Sequence, residues 1–232
     1  MCVRCIAWLL LTSIALRTSG SLWGGEPEYE GKALSNWVMM TQGGAPESRS
    51  EAERALEAIG VETVVPFLVR WIKPPWTNSV MPGAAVDSFR VFGPAARSAI
   101  PELTKILDRE PDTIDDVSAQ IDAAKALSYL GRDAVPVLLS AAERFKSRPQ
   151  GWEIIFAMAN LGPYGAGAQP AILKWSKDPN EWVRVGALRA YVGIETNSEK
   201  RLSFARAALN DSSERVRRQA SLFLEYVSGA PQ

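Results

Sequence analysis

The sequence predicts an all-α fold made of repeated helix pairs, and two regular patterns carry this prediction. Six helical segments, each the first helix of a predicted pair, end at intervals of 31 to 38 residues. Four prolines, each in the second helix of a pair, recur at intervals of 34 or 35 residues. Self-similarity at periods of roughly 20–50 residues is the signature of repeat proteins, whose units pack mainly on their neighbours. The first helices end at Gly60, Gly93, Gly131, Gly162, Glu195 and Ser228, and the prolines are Pro66, Pro101, Pro136 and Pro170.

The composition is that of an ordinary globular protein and excludes several functions. Hydrophobic residues make up 47% of the 232 residues and charged residues 22%. Lysine plus arginine equals aspartate plus glutamate, at 26 each, so no long-range field attracts nucleic acid. Histidine, the commonest metal ligand and general base, is absent. We therefore expect no enzyme activity, no metal or other cofactor, and no nucleic-acid partner.

The N-terminal segment has the layout of a secretory signal. Arg4 precedes an apolar run at residues 6–16, which is too short to span a bilayer comfortably, and small residues follow. We predict that residues 1–20 are a cleaved signal peptide and that the protein is exported, to the periplasm or outside the cell. A retained membrane anchor and a buried helix are the alternatives. Both cysteines, Cys2 and Cys5, lie in this segment, so the mature chain is expected to contain no thiol nucleophile and no disulfide.

Residues 21–50 are predicted to form an N-terminal arm and one short helix that covers the first repeat. Leu34 and Trp37 fall on one face of that helix, and Ser35 is a candidate N-cap. The repeat array then occupies residues 51–232, as five to six units. Because the last unit lacks a predicted second helix, we expect it to be a half-repeat that caps the array.

The residue types at the two recurring positions fit their predicted places in the helix pairs. Glycine suits the end of a first helix, because it adopts a positive φ without a side-chain clash. Proline costs little in the first turn of a second helix, where its missing N–H has no intrahelical acceptor. Around each proline, apolar residues follow the spacing that makes one buried stripe per helix. Residues 123–145, which contain Gly131 and Pro136, match the pattern of the repeat unit most completely.

The last units share a further motif, an aspartate followed five and six residues later by Val-Arg. Asp178 precedes Arg184 in this way, and Asp211 precedes Arg217. An aspartate fits a helix N-terminus by capping or through the helix dipole. The recurrence of the arginines at a step of 33 residues predicts a structural ladder against neighbouring acids.

Two loops have compositions that suggest ligands, although a structural interpretation suits each better. Residues 108–116 carry five acids, which could bind calcium, but their spacing matches no calcium loop. Asp115 or Asp116 can instead cap the next helix. Residues 162–170 are rich in glycine and could cradle phosphate, yet they follow a helix and lack the Gly-Lys-Ser/Thr of a P-loop. A widened turn between helices is the simpler interpretation.

The pattern as a whole resembles the HEAT-repeat family, including its shorter bacterial HEAT-like variants. The resemblance rests on the paired helices, the Asp…Val-Arg-x-x-Ala run, the apolar-Gly turn and the proline of the second helix, over residues 51–228. Residues 29–37 are also similar to the N-terminal part of secreted bacterial HEAT-repeat proteins. The resemblance implies a right-handed α-solenoid whose second helices line the concave face. HEAT-like arrays act mostly as binding scaffolds for proteins.

If that geometry holds, the position four residues after each proline faces the groove, and it is basic in three units. A tryptophan follows at the next position in two of these units, and another lies on the proline-rich link after the first. A basic and aromatic groove suits an acidic or extended peptide. The alternative is that the basic residues are solvated and the tryptophans fill gaps between repeats, as we expect for Trp152 and Trp182. The candidate partner-binding residues are Arg70, Trp71, Trp76, Lys105, Lys174 and Trp175.

The sequence therefore predicts a non-catalytic scaffold that binds a protein or peptide through the concave face of the array. Two other classes of function stay open. One is an enzyme or enzyme accessory of the HEAT-like lyase type, acting on a bound pigment or cofactor. The other is a structural spacer in an envelope assembly. Contact with a membrane is expected only if the N-terminal segment is retained as an anchor.

Overall fold

The computed structural model describes residues 25–43, 45–76 and 80–228, together with residue 78. The predicted signal segment, residues 1–20, lies outside this part of the chain. The described chain is mostly helical, with two short strands near its start. The prediction of an all-α protein is therefore confirmed.

Twelve α-helices form within the described residues, and 3₁₀ segments open three of the second helices. The elements are β1 (Glu28–Tyr29), β2 (Lys32–Ala33), α1 (Leu34–Met40), α2 (Pro46–Ile59), α3 (Val61–Ile72), α4 (Met81–Phe92), a 3₁₀ segment (Gly93–Ala99), α5 (Ile100–Asp108), α6 (Ile114–Tyr129), a 3₁₀ segment (Arg132–Ala134), α7 (Val135–Phe145), α8 (Gly151–Ala157), a 3₁₀ segment (Met158–Ala168), α9 (Gln169–Trp175), α10 (Glu181–Ile194), α11 (Ser198–Ala208) and α12 (Glu214–Ser228).

The N-terminal arm folds back on itself before the first repeat, which the sequence did not predict. Strands β1 and β2 pair antiparallel, with Glu28 opposite Ala33. Helix α1 buries Leu34 and Trp37 completely, as its apolar spacing predicted. Ser35 is not the N-cap, because the helix begins one residue earlier; its backbone N–H instead donates to Oε2 of the buried Glu26 at 2.9 Å.

Glycine ends four of the first helices with a positive φ, as predicted. The ψ angles lie near +140° or −140° rather than near the value of a left-handed helix, so the chain turns sharply in a conformation that is essentially confined to glycine. The φ angles are 93° at Gly60, 52° at Gly93, 82° at Gly131 and 51° at Gly162.

Three of the four repeated prolines lie in the first turn of a second helix, and the fourth does not. Pro101, Pro136 and Pro170 are at the start of α5, α7 and α9, where the preceding 3₁₀ segment has already turned the chain. Pro66 lies inside α3, because that helix begins directly after Gly60 without a 3₁₀ segment. The prediction of a first-turn proline is wrong for this unit alone.

The helices form two layers that are packed unequally. Successive first helices, from α2 through α4, α6, α8 and α10 to α12, contact one another directly, whereas contacts between successive second helices are sparse. Each second helix also packs more extensively on the first helix that follows it than on the one before it. The packed pairs are therefore α3–α4, α5–α6, α7–α8, α9–α10 and α11–α12, so α12 completes a pair with α11.

Close approach of α10 to α8 and to the 3₁₀ segment that follows α8 depends on glycine. A Cβ atom at Gly193 would lie 2.5 Å from the carbonyl oxygen of Ala159, and one at Gly186 would lie 2.8 Å from that of Trp152. Neither distance leaves room for a side chain. The layer of first helices is thus tightest at this point, where the two backbones meet.

The predicted arginine ladder against neighbouring acids is present in part: among the described residues, Arg184 reaches an acid of the next unit and Arg217 reaches only backbone carbonyls. Arg184 donates from Nε and Nη2 to both carboxylate oxygens of Asp211 in the next unit, at 2.9 and 2.7 Å. Its Nη1 donates to the carbonyl oxygen of Asp178 at 2.8 Å. Arg217 repeats this carbonyl contact one unit later, donating from Nη1 to the carbonyl oxygen of Asp211 at 2.7 Å.

Candidate functional site

The basic residues of the predicted groove are exposed on the second helices. Arg70, Lys105 and Lys174 lie at the surface of α3, α5 and α9, opposite the buried stripe of each helix. This is the position that their spacing from the prolines indicated. Their role in binding stays a prediction.

The tryptophans next to them are not part of such a surface. Trp71 and Trp175 are only 3% and 2% exposed and pack in the hydrophobic core. Nε1 of Trp175 donates to Oε2 of Glu143 at 3.0 Å. The position five residues after the proline borders the apolar stripe, so a side chain as long as tryptophan reaches the core from there. The expectation that these rings face a groove is therefore wrong, and the alternative that they fill gaps between helices fits their burial.

Trp76 on the proline-rich link is half-buried rather than a free anchor. Its ring packs against the hydrophobic core, and its Nε1 donates to the carbonyl oxygen of Ile72 at 3.2 Å. The link therefore lies against the end of α3. This position makes the link part of the wall of a cleft.

That cleft lies between α3 and α5 and has a volume of about 660 Å³. Binding sites for small ligands commonly have volumes of roughly 300–1,000 Å³. Apolar side chains and three prolines form much of its surface, and charged side chains lie among them. The lining consists of Glu62, Val65, Pro66, Val69, Arg70, Lys73, Pro74, Pro75, Ser98, Ala99 and Glu102.

A second cavity, of about 150 Å³, adjoins the cleft, since Lys73 and Pro74 line both. It adds Lys105 and Arg109 from the end of α5. The two cavities thus bring together Arg70 and Lys105, which come from different repeats. Lys174 lines a separate cavity at the end of α9.

The charges around the two cavities are unevenly paired. Glu102 accepts from Lys73 at 3.2 Å and from Lys105 at 2.6 Å, and these hydrogen bonds hold the pKa of its carboxyl below the ordinary value. One carboxylate is therefore shared by two ammonium groups. Among the described residues, Arg70 has no ion-pair partner.

The acidic loop beside the second cavity is held by its own hydrogen bonds. Thr113 and Asp116 form a capping box at the start of α6, in which Asp116 accepts from the Thr113 backbone N–H at 3.0 Å and from its hydroxyl at 2.7 Å. The hydroxyl hydrogen bond is the main cause that lowers the pKa of Asp116. The interpretation of this loop as a helix cap is confirmed. Within the described residues, no group of three or more Asp, Glu, Cys or His side chains could hold a metal ion.

The layer of first helices carries a different surface. In its N-terminal half, Asp87 on α4, Asp122 on α6 and Glu153 on α8 lie near one another, with Nζ of Lys125 3.8 Å from Oε2 of Glu153 and 4.0 Å from Oδ1 of Asp122. Burial raises the pKa of Asp122 to about 6, with Glu153 and Asp87 acting in the same direction and Lys125 opposing. Burial also raises the pKa of Asp87.

The C-terminal half of this layer carries aromatic rings instead. Trp152 on α8 lies 5.1 Å from Trp182 on α10, between ring centroids, and both had been expected to be packing residues. Trp182 keeps 37% of its surface exposed. Alignment of the helix ends did not predict this contact. The sequence signal for a surface here is that Trp182 and Arg215 occupy equivalent positions, each four residues after the aspartate of its unit.

Comparison with known proteins adds little to this geometry. No protein-family model matches the chain, and no curated protein matches it. Among solved structures, the chain is similar to the crystal structure of an engineered protein, with 17% identity and a TM-score of 0.39, over 84% of this chain and 96% of that one. A likeness this distant carries no argument about function.

Helix length and hydropathy bear on contact with membranes. Among the residues that the structure describes, no helix is both long and apolar enough to cross a bilayer.

Proposed function

We propose that this protein is a non-catalytic scaffold that binds an acidic, extended protein segment in the cleft between α3 and α5. The observation that carries the proposal is the pair of adjoining cavities, which bring four cations, Arg70, Lys73, Lys105 and Arg109, together against three carboxylates. Valine, alanine and proline side chains supply an apolar surface between these cations. Such a site can pair with carboxylates while it buries the apolar side chains between them.

The proposal places the cleft in a right-handed α-solenoid of HEAT-like helical hairpins. In a curved two-layer array, the layer whose helices lie closer together is the inner one. The closer packing of the first helices supports an inner position for them, which reverses the arrangement that the family resemblance implied. The cleft between α3 and α5 would then open on the outer side, where neighbouring helices diverge.

We further propose that the protein acts after export, to the periplasm or outside the cell, once residues 1–20 have been removed. Its partner would then be a protein or peptide of that compartment. The apolar run and the small residues of the N-terminal segment support this location.

The proposal is tested with a fluorescein-labelled peptide of alternating glutamate and proline, by fluorescence anisotropy. We expect the double variant R70E/K105E to weaken binding by at least tenfold, since it replaces two cations of the site by carboxylates. The matched control is R132E/R206E, which makes the same change of net charge at two exposed positions elsewhere. We expect this control, and Lys174→Glu, to keep the affinity within about twofold.

Three outcomes would contradict the proposal. Equal weakening by both double variants would show that the peptide responds only to net charge. Absence of binding to the unmodified protein would favour the structural spacer. A purified protein that carries a pigment or another cofactor would favour the lyase-like alternative.

A further inference from the structure

We propose that the face formed by α8, α10 and α12 is a second docking surface, for a protein segment that presents carboxylates next to a large apolar side chain. This surface lies on the first helices, so it is separate from the cleft between α3 and α5. It depends on a different observation, a row of aromatic rings and guanidinium groups that crosses three helices. The inference therefore goes beyond the proposed function and can fail independently of it.

The row begins on α8 and ends on α12. The ring of Phe156 lies 6.1 Å from that of Trp152, edge to face, and Trp152 lies 5.1 Å from Trp182. The guanidinium carbon of Arg215 lies 3.8 Å from the centre of the Trp182 ring, and that of Arg189 lies 4.5 Å from the centre of the Phe156 ring. Stacking of this kind orders the arginines without consuming their hydrogen-bond donors.

Large apolar side chains continue the surface on α12 and are open to solvent. Leu222 is 47% exposed and Tyr226 is 80% exposed. They lie one repeat of 33 residues after Arg189 and Gly193 on α10, so they extend the same face. Tryptophan, tyrosine and arginine are the residues most enriched at the centres of protein interfaces.

Packing of the repeats does not require this composition. The first helices of the N-terminal half carry Asp87, Asp122 and Lys125 on the corresponding layer, and they also pack directly on their neighbours. The positions of α10 that are buried against α12 are Val185, Leu188 and Val192, which belong to a separate apolar cluster. The exposed rings are thus additional to the core, as expected of a surface that contacts a partner.

The charge of the surface indicates what the partner presents. Arg189 and Arg218 have no ion-pair partner among the described residues, and Arg215 lies 3.4 Å from Glu181. The stacking of Arg189 on the ring of Phe156 holds its guanidinium group in place. Guanidinium groups that are held in place and lack an acceptor favour a carboxylate ligand.

The test uses a phage-displayed library of random peptides, selected against the full-length protein. We expect the selected peptides to carry aspartate or glutamate beside leucine or an aromatic residue. Synthetic versions of these peptides should bind at least tenfold more weakly to W182A/Y226A. Arg189→Gln should weaken the same peptides severalfold, because it removes a guanidinium group that stacks on the ring of Phe156 and has no ion-pair partner among the described residues.

Matched controls separate this surface from the rest of the molecule. Tyr164→Ala removes another exposed ring, 50% exposed on the 3₁₀ segment before α9, and should leave the peptides bound. R70E/K105E, in the cleft, should do the same. The proposal is overturned if the selection yields no peptides, if the peptides are basic, or if W182A/Y226A binds them as well as the unmodified protein does while thermal melts show all variants folded.

Discussion

At the scale of single residues, two arginines in equivalent positions differ in their side-chain partners. Arg184 and Arg217 contact backbone carbonyls five and six residues before themselves in the same way. Arg184 also forms a bidentate ion pair with Asp211, and these side chains are only 12% and 15% exposed. The pair joins one unit to the next, whereas Arg217 contacts only the backbone of its own unit.

We therefore expect Arg184→Gln to lower the free energy of unfolding by roughly 2 kcal/mol, because it leaves the largely buried carboxylate of Asp211 without its ion-pair partner. Arg217→Gln removes hydrogen bonds to two carbonyls and should cost less than half as much. Urea unfolding of the two variants measures both values. Equal losses of stability would mean that the Arg184–Asp211 ion pair contributes nothing beyond the hydrogen bonds to the backbone carbonyls.

At the scale of single elements, α10 is shaped by its contact with α8. Gly186 lets α10 approach the backbone of α8, and Gly193 lets it approach the 3₁₀ segment after α8; this approach also sets the distance between Trp152 and Trp182. A change at either glycine should therefore affect both stability and the aromatic row.

Gly193→Ala is expected to destabilise the protein by roughly 1–3 kcal/mol, since the new methyl group would overlap with Ala159. The control is Gly167→Ala, where the nearest atom to the added Cβ, on Val135, is 4.0 Å away. We expect that variant to be close to neutral. Thermal unfolding measures stability, and tryptophan fluorescence reports on the Trp152–Trp182 pair; a stable Gly193→Ala with unchanged fluorescence would contradict this account.

At the scale of the whole molecule, stacking of the first helices buries charge between units. Asp122 on α6 faces Lys125 on its own helix and lies near Glu153 and Asp87 on the two neighbouring first helices. Its carboxyl pKa in the folded protein, about 6, is higher than the ordinary 3.8. The folded state therefore binds a proton in a pH range in which the unfolded state has already released it.

It follows that ionisation of Asp122 lowers the free energy of unfolding as the pH rises from about 4 through 6, by at most roughly 3 kcal/mol in total. Asp122→Asn should remove this dependence and raise stability at neutral pH. Asp115→Asn, at an exposed position of the same helix, is the control and should leave the dependence intact. Denaturant unfolding at pH 4 and pH 7 distinguishes the outcomes; an unchanged pH dependence in Asp122→Asn would contradict the assignment.

Whole-molecule packing also explains which parts of the candidate site could be predicted. The exposure of Arg70, Lys105 and Lys174 follows from local spacing, because a helix fixes which of its faces is apolar. The burial of Trp71 and Trp175 follows from spacing only in part: their position borders the apolar stripe, but the neighbouring helices decide whether each ring is covered. The cleft likewise exists only where α3, α5 and the link between α3 and α4 meet.

The sequence alone determined the helical units, the glycine turns that end them and the equivalent positions of Arg184 and Arg217 in the last two units. Each of these depends on residues close together in the chain or on a step that recurs along it. The tertiary structure alone decided which layer of helices packs closely, which tryptophans are buried and which charges share a cavity. These features depend on the distances between helices from different units, and those distances are set by side chains that meet only after the units have stacked.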